Sequence, residues 1–209
     1  RWQGVRSTLR ICLAEGISSF YENSIEDYSM RYASELDLEY VSCPDADCDH
    51  QLQAYKADAV ISFTPQYSQA ATTSMILESP LVFLVNKDDT LARGDVMRLS
   101  WSKRTWTFLL YSGGRDHCLW WPTLPRRGDV CCGDLENLFD LLRKGKGVLP
   151  IPEIMVPEDL SYARILRPNY EVDPCRIYCS TLRSSYYEPE KYRQLQKLCD
   201  EVFMLDSAG

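Results

Sequence analysis

Strands and helices alternate along the first 63 residues, and this order restricts the fold more than any other feature of the chain. TLRICLA (8–14) is an apolar run of strand length. After Glu15 and Gly16, Ile17, Phe20, Tyr21, Ile25, Tyr28 and Tyr32 recur with the 3.6-residue period of an amphipathic helix over 17–32. LDLEYVSC (36–43) predicts a second strand, a polar turn leads to a short helix around Leu52 and Tyr55, and ADAVISF (57–63) predicts a third strand. Strands joined through helices cross over right-handedly, so the pattern predicts an α/β protein built on a parallel sheet.

The alternation continues. A strand is expected from about Leu77 to Val85, interrupted by the charged turn Asn86-Lys87-Asp88-Asp89, and another at TFLLYSGG (107–114). The next helix carries the clearest punctuation in the chain: Asp134 as N-cap, Leu135, Leu138, Phe139 and Leu142 on one face, and Gly145 as the stop. GVLPIP (147–152) and CRIYCST (175–181) read as strands. PEKYRQLQKLCDEVF (189–203) reads as a closing helix with Leu195, Leu198, Cys199 and Val202 inward.

Composition excludes several classes. With 45% apolar residues the chain can fill a core, and 23 basic against 30 acidic residues give a net charge of −7. That balance, without a basic run, opposes direct binding to a phosphate backbone. No stretch has the roughly 20 apolar residues that a membrane span needs, and RWQGVRSTLR is not a secretory signal. Nine cysteines in a chain this long read as mostly buried thiols in a reducing cytoplasm.

Five segments together resemble the effector-binding domain of LysR-type bacterial transcriptional regulators: LRICLAEGISSF, LDLEYVSC, KADAVISF, LESPLVFLVNKDDTLA and DLENLFDLLRKGKGVLPIPEIM. The likeness covers about residues 8 to 203. It departs at Asp89-Thr90, where the family has His-Pro, and in the cysteine-rich, insertion-like RDHCLWWPTLPRRG. The resemblance implies a two-lobed, periplasmic-binding-protein-like (type 2) fold with two crossover strands and a ligand cleft between the lobes. Lobe I would comprise residues 8–84 and 168–209, and lobe II residues 85–167, with the second crossing near Arg164 to Asp173. The family's winged helix-turn-helix is absent from this chain, so DNA contact would be made only through that missing N-terminal domain. The resemblance further implies a homodimer or tetramer, with helix 17–32 and strand 36–43 as contributors, and a cytoplasmic protein with no membrane attachment.

Parallel α/β sheets bind ligands beyond the carboxyl ends of their strands, where helix N-termini expose amides. This rule selects Gly16, Ile17, Ser18 and Ser19 after the first strand, and Phe63, Thr64 and Pro65 after the third. It also selects Tyr111, Ser112 and Gly113 at another strand end, Cys132 and Gly133 before the clear helix, and Pro150 on the strand that follows. Each has a plainer reading: the serines cap their own helix, Thr64-Pro65 is a strand-ending turn, and Asp134 with two buried thiols is an N-cap. Trp120 and Trp121 could select an aromatic ligand by stacking, or belong to the core or a dimer surface, and Arg115 could pair with an acidic effector. The expected effector is a small molecule, an organic acid or an aromatic metabolite.

Catalytic and metal readings are weaker. CPDADCDH (43–50) gathers two thiols, three carboxylates and His50, yet its spacing matches no zinc motif, so no metal and no cofactor is expected. His117-Cys118 suggests a nucleophile pair, but neighbours in sequence rarely face each other, and with only two histidines no triad emerges. Vicinal Cys131-Cys132 could sense oxidants. An enzyme is therefore not expected. The leading expectation is the ligand-sensing regulatory domain of a LysR-type regulator; its rivals are a transporter's solute-binding protein and a two-lobed enzyme such as a transferase or dehydratase.

Overall fold

The structure is a computed structural model that describes residues 6–66, 68–89, 92, 96–97, 106–113, 119–120, 128–168, 171–183 and 188–204. Arg115, His117, Cys118 and Trp121 lie outside the described residues, as does Gly114. The chain divides into two compact units, Arg1–Glu78 with Arg176–Gly209 and Ser79–Cys175. It therefore passes from one unit to the other twice.

In unit 1, β1 (Ser7–Ala14) lies between β2 (Leu36–Cys43) and β3 (Ala59–Ser62), parallel to both. The sheet continues with β11 (Cys175–Leu182) and β4 (Ala71–Ser79), in the order β2-β1-β3-β11-β4. β11 runs antiparallel to β3, which makes the sheet mixed where the sequence pattern predicts a parallel one. The reason lies in the chain path: β11 re-enters from unit 2, so no α-helical crossover fixes its direction. Sandwiched between strands, β11 buries even Ser180 and Thr181.

The helix α1 (Glu15–Arg31) follows β1 without a linker and buries Ile17, Tyr21, Ile25 and Tyr28, four of the six residues assigned to its inner face. Phe20 is 40% exposed, and Tyr32 lies just beyond the last turn. After β2 a 3-10 turn at Asp45–Asp47 leads into α2 (Cys48–Gln53), which buries Leu52. Tyr55 is not in this helix: it sits beyond the end with φ of 56° and its ring 70% exposed, so it is no part of the apolar face. The closing helix α4 (Pro189–Cys199) ends in a π-helical turn, Asp200–Met204, and Leu195, Leu198, Cys199 and Val202 are all buried as their spacing predicts. The turn seats Phe203 4.5 Å from the ring of Tyr21. Burying such a side chain contributes about 1.5–3 kcal/mol.

Unit 2 holds β5 (Leu81–Asn86), β6 (Val96–Met97), β9 (Leu149–Pro152) and β10 (Ala163–Pro168) in one sheet of order β6-β10-β5-β9. A parallel pair, β7 (Trp106–Tyr111) and β8 (Gly128–Gly133), joins it through a bridge from Phe108 to Val148. The single strand expected over Leu77 to Val85 is two strands, β4 and β5, because Pro80 has no N–H to continue a ladder. Phe83, Val85, Phe108, Leu110, Val148 and Leu166 form the core between the sheet and the pair.

α3 (Leu135–Arg143) has the ends that its sequence announces. Asp134 accepts from the Asn137 amide at 2.9 Å. At the other end Gly145, at φ 71°, and Lys146 donate to the carbonyls of Leu142 and Leu141, the paired bonds of a Schellman stop. Asn86 of β5 adds donors to the carbonyls of Leu142 and Arg143, which fastens the helix to the sheet. Close packing is tightest at Gly147, where an added Cβ would stand 2.6 Å from the Thr107 carbonyl and 2.9 Å from the Leu109 side chain. The Gly147→Ala variant is expected to lose about 1–3 kcal/mol, read as an earlier urea transition, because backbone cannot yield as a side-chain end can.

Candidate functional site

Register builds the site in unit 1. Leu13 pairs with Ile61 and Ala14 with Cys43, so the three parallel strands finish at one edge of the sheet. Glu15–Ser18, Pro44–Asp45 and Phe63–Thr64 all emerge there. Asp45, 2% exposed, ties two of these segments: its carboxylate accepts from the Phe63 amide at 2.8 Å and from the Thr64 hydroxyl at 2.6 Å. The hydroxyls of Ser18 and Ser42 lie 2.7 Å apart and tie α1 to the end of β2.

These bonds alter what each predicted residue can offer. Ser18 and Ser19 donate backward to the Glu15 carbonyl, at 2.8 and 3.0 Å, and do not cap their helix. Thr64 spends its proton on Asp45. The residue before α1, Ala14, has no capping side chain, so the first-turn amides around Gly16 and Ile17 are the donors that remain for a ligand. Both residues are buried, and Pro65 is half-buried beside Phe63.

The unit 2 residues form a second group. Tyr111 and Gly133 are register partners at the ends of β7 and β8, and the Ser112 amide donates to the Gly133 carbonyl at 3.0 Å. The Tyr111 and Trp120 rings stack with centroids 5.1 Å apart and planes at 25°, which brings the tryptophan of the sequence reading to this strand end. Gly113 is buried, Cys132 is exposed, and Pro150 is buried on β9 opposite Phe83. The Asp134 carboxylate already occupies the amino end of α3, so an anion there would meet a negative charge.

Sequence reasoning gave no sign of a groove of about 660 Å³ on unit 2, formed by α3 and the segment 157–162. Glu136, Asp140 and Asp159 edge it, and the Arg143 guanidinium lies 4.9 Å from the centroid of the Tyr162 ring. Loop residues 157–162 carry no periodicity, so only the folded chain brings them to the helix. The equally hidden role of Asp45 could have been suspected from its place directly after a strand-ending proline.

Comparison with known proteins gives a family and a fold. The model of the LysR substrate binding domain matches residues 3–204. No curated protein matches the chain. Among solved structures, the reduced form of the OxyR regulatory domain from Pseudomonas aeruginosa is 17% identical, with a TM-score of 0.78 over 96% of this chain and 98% of that one. The regulatory domain of MetR, a LysR family regulator from N. meningitidis, is 14% identical, with a TM-score of 0.68 over 93% and 91%. A full-length OxyR variant from Pseudomonas aeruginosa is 15% identical, with a TM-score of 0.77 over 94% of this chain and 73% of that one. At these identities the structural likeness establishes the fold.

If Asp45 holds the strand-end edge together, Asp45→Ala should cost about 2–3 kcal/mol in urea unfolding, because buried donors lose a charged acceptor. Hydrogen exchange at Phe63 should accelerate in the same variant.

Proposed function

The chain belongs to the LysR substrate binding domain family, and we infer from this premise that it is the ligand-sensing regulatory domain of a LysR-type transcriptional regulator. The observation that carries the assignment into the structure is the shared edge of β1, β2 and β3 with the uncapped first turn of α1. Such an edge presents amide donors and the positive end of a helix dipole, which suits a carboxylate.

The residues proposed to contact the effector are Gly16, Ile17, Ser18, Ser19, Phe63, Thr64 and Pro65 in unit 1, with Tyr111, Ser112, Gly113, Cys132, Gly133 and Pro150 in unit 2. Main-chain amides carry most of the polar recognition, since the hydroxyls of Ser18, Ser19 and Thr64 are engaged within the protein. The stacked Tyr111 and Trp120 rings favour an effector with an aromatic part. Regulatory lobe I corresponds to unit 1 and lobe II to unit 2 in this proposal. An effector shifts the conformational population by its difference in affinity between states, and DNA contact belongs to a winged helix-turn-helix outside these residues.

The regulator acts as a homodimer or tetramer in the cytoplasm and performs no turnover. Support for self-association comes from Phe20 and Met30 on α1 and Val41 on the edge strand β2, which are 40%, 78% and 52% exposed. Among the described residues no helix is long and apolar enough to cross a membrane.

A thermal-shift screen of small organic acids and aromatic metabolites tests the reading. A true effector at 100 times its Kd stabilises by about 2.7 kcal/mol and is recovered unchanged. Ser19→Glu adds a carboxylate one turn into α1, where it leaves the helix stable. It should weaken an acidic effector roughly tenfold while sparing a neutral one. Stabilisation indifferent to that charge, or conversion of the compound, contradicts the proposal.

A further inference from the structure

Three thiols from separate elements meet in unit 1. The Sγ atoms of Cys12 on β1 and Cys43 at the end of β2 are 3.0 Å apart, those of Cys43 and Cys48 are 3.4 Å apart, and all three lie within 4.8 Å of one another. Cys12 and Cys48 are fully buried and Cys43 is 9% exposed. The sequence reading grouped Cys43 and Cys48 with nearby aspartates and His50, but the fold replaces those partners with a thiol 31 residues away from Cys43. Among the described residues no carboxylate or imidazole joins the three sulfurs.

This donor set is selective. Zinc sites are almost always four-coordinate, and two fully buried sulfurs leave little access for a fourth ligand. Three sulfurs about 2.3 Å from one centre stand roughly 3.3–4 Å apart, the lower value for a pyramid and the higher for a flat triangle. Of the observed spacings, 3.4 Å falls within that range, 3.0 Å is a few tenths of an ångström short of it, and the third is within 4.8 Å. Charge narrows the choice further: three thiolates leave a charge of −2 around a monovalent ion, −1 around a divalent one and none around a trivalent one. Residual negative charge would be buried near Asp45 and beside Asp47 and Asp49, so neutrality is favoured.

We propose that Cys12, Cys43 and Cys48 form a three-sulfur site for a trivalent, thiophilic metalloid, with arsenite and its antimony counterpart as the chemical class. Arsenite at neutral pH is uncharged As(OH)3, which suits passage to a buried site. Each of three As–O bonds gives way to an As–S bond, and each thiol proton leaves with a hydroxide as water. The balance is one As(OH)3 and three thiols to one As(SR)3 and three waters, with no change of oxidation state. Cys43 begins the exchange, because it is the most accessible of the three. The bound centre would cross-link β1, β2 and the start of α2.

The test uses the reduced 209-residue chain and sodium arsenite. One equivalent should bind, X-ray absorption should show three sulfurs and no oxygen around arsenic, and alkylation mapping in mild urea should find Cys12, Cys43 and Cys48 modified without arsenite and protected with it, while Cys131 and Cys132 react in both cases. Cys12→Ser, Cys43→Ser and Cys48→Ser should each weaken binding roughly 100-fold or more. The mapping is done on the unaltered chain, so it decides the matter even where a variant folds poorly. Two-sulfur coordination, protection centred on Cys131, Cys132, Cys179 or Cys199, zinc binding as tight as arsenite, a Cys12–Cys43 disulfide that persists after reduction, or no binding at all would each overturn the proposal.

Discussion

The parallel pairing of β1 with both β2 and β3 is the constraint on which unit 1 depends. Once Ala14 stands opposite Cys43 and Leu13 opposite Ile61, three chain segments must leave the sheet at one edge. α1 then begins with its amides at that edge, Asp45 reaches the turn after β3, and three thiols come within bonding range of a single centre. A shift of β1 by one residue would invert its faces, putting Ile11 and Leu13 where Cys12 and Ala14 now pack and scattering every one of these contacts.

Unit 2 is organised differently. Its helix is held at both ends by specific bonds, Asp134 at the start and Gly145, Lys146 and Asn86 at the finish. Directly after the finish comes a close approach at Gly147, where an added Cβ would meet the Thr107 carbonyl. The result is a firm support for the strand ends at Tyr111 and Gly133. The same N-cap carboxylate that stabilises α3 removes its amino end as an anion site. The first-turn amides left without a side-chain acceptor are therefore those of α1, whose N-cap is Ala14 and whose first turn carries the carboxylate of Glu15.

Much of this was legible in the sequence where the physics is local. Periodicity places Ile17, Tyr21, Ile25 and Tyr28 correctly, and Asp134 and Gly145 mark helix ends because capping is decided within a few residues. Pro80 could have been read as the break between β4 and β5, since the missing N–H is visible in the residue type. What stayed hidden depends on distant pairing. Nothing near Cys12 announces Cys43, nothing near Phe63 announces Asp45, and the reversed direction of β11 follows from where the chain returns. Hydroxyl roles were misjudged for a related reason: Ser18, Ser19 and Thr64 look like free donors until their carbonyl and carboxylate partners are seen.

The central claim is that the edge where β1, β2 and β3 end receives the effector. Hydrogen–deuterium exchange of the chain saturated with a stabilising compound from the screen addresses it directly. The account predicts slowed exchange at 15–18 and 63–64 in unit 1. Protection confined to the groove beside α3, with those strand-end amides unchanged, would contradict it.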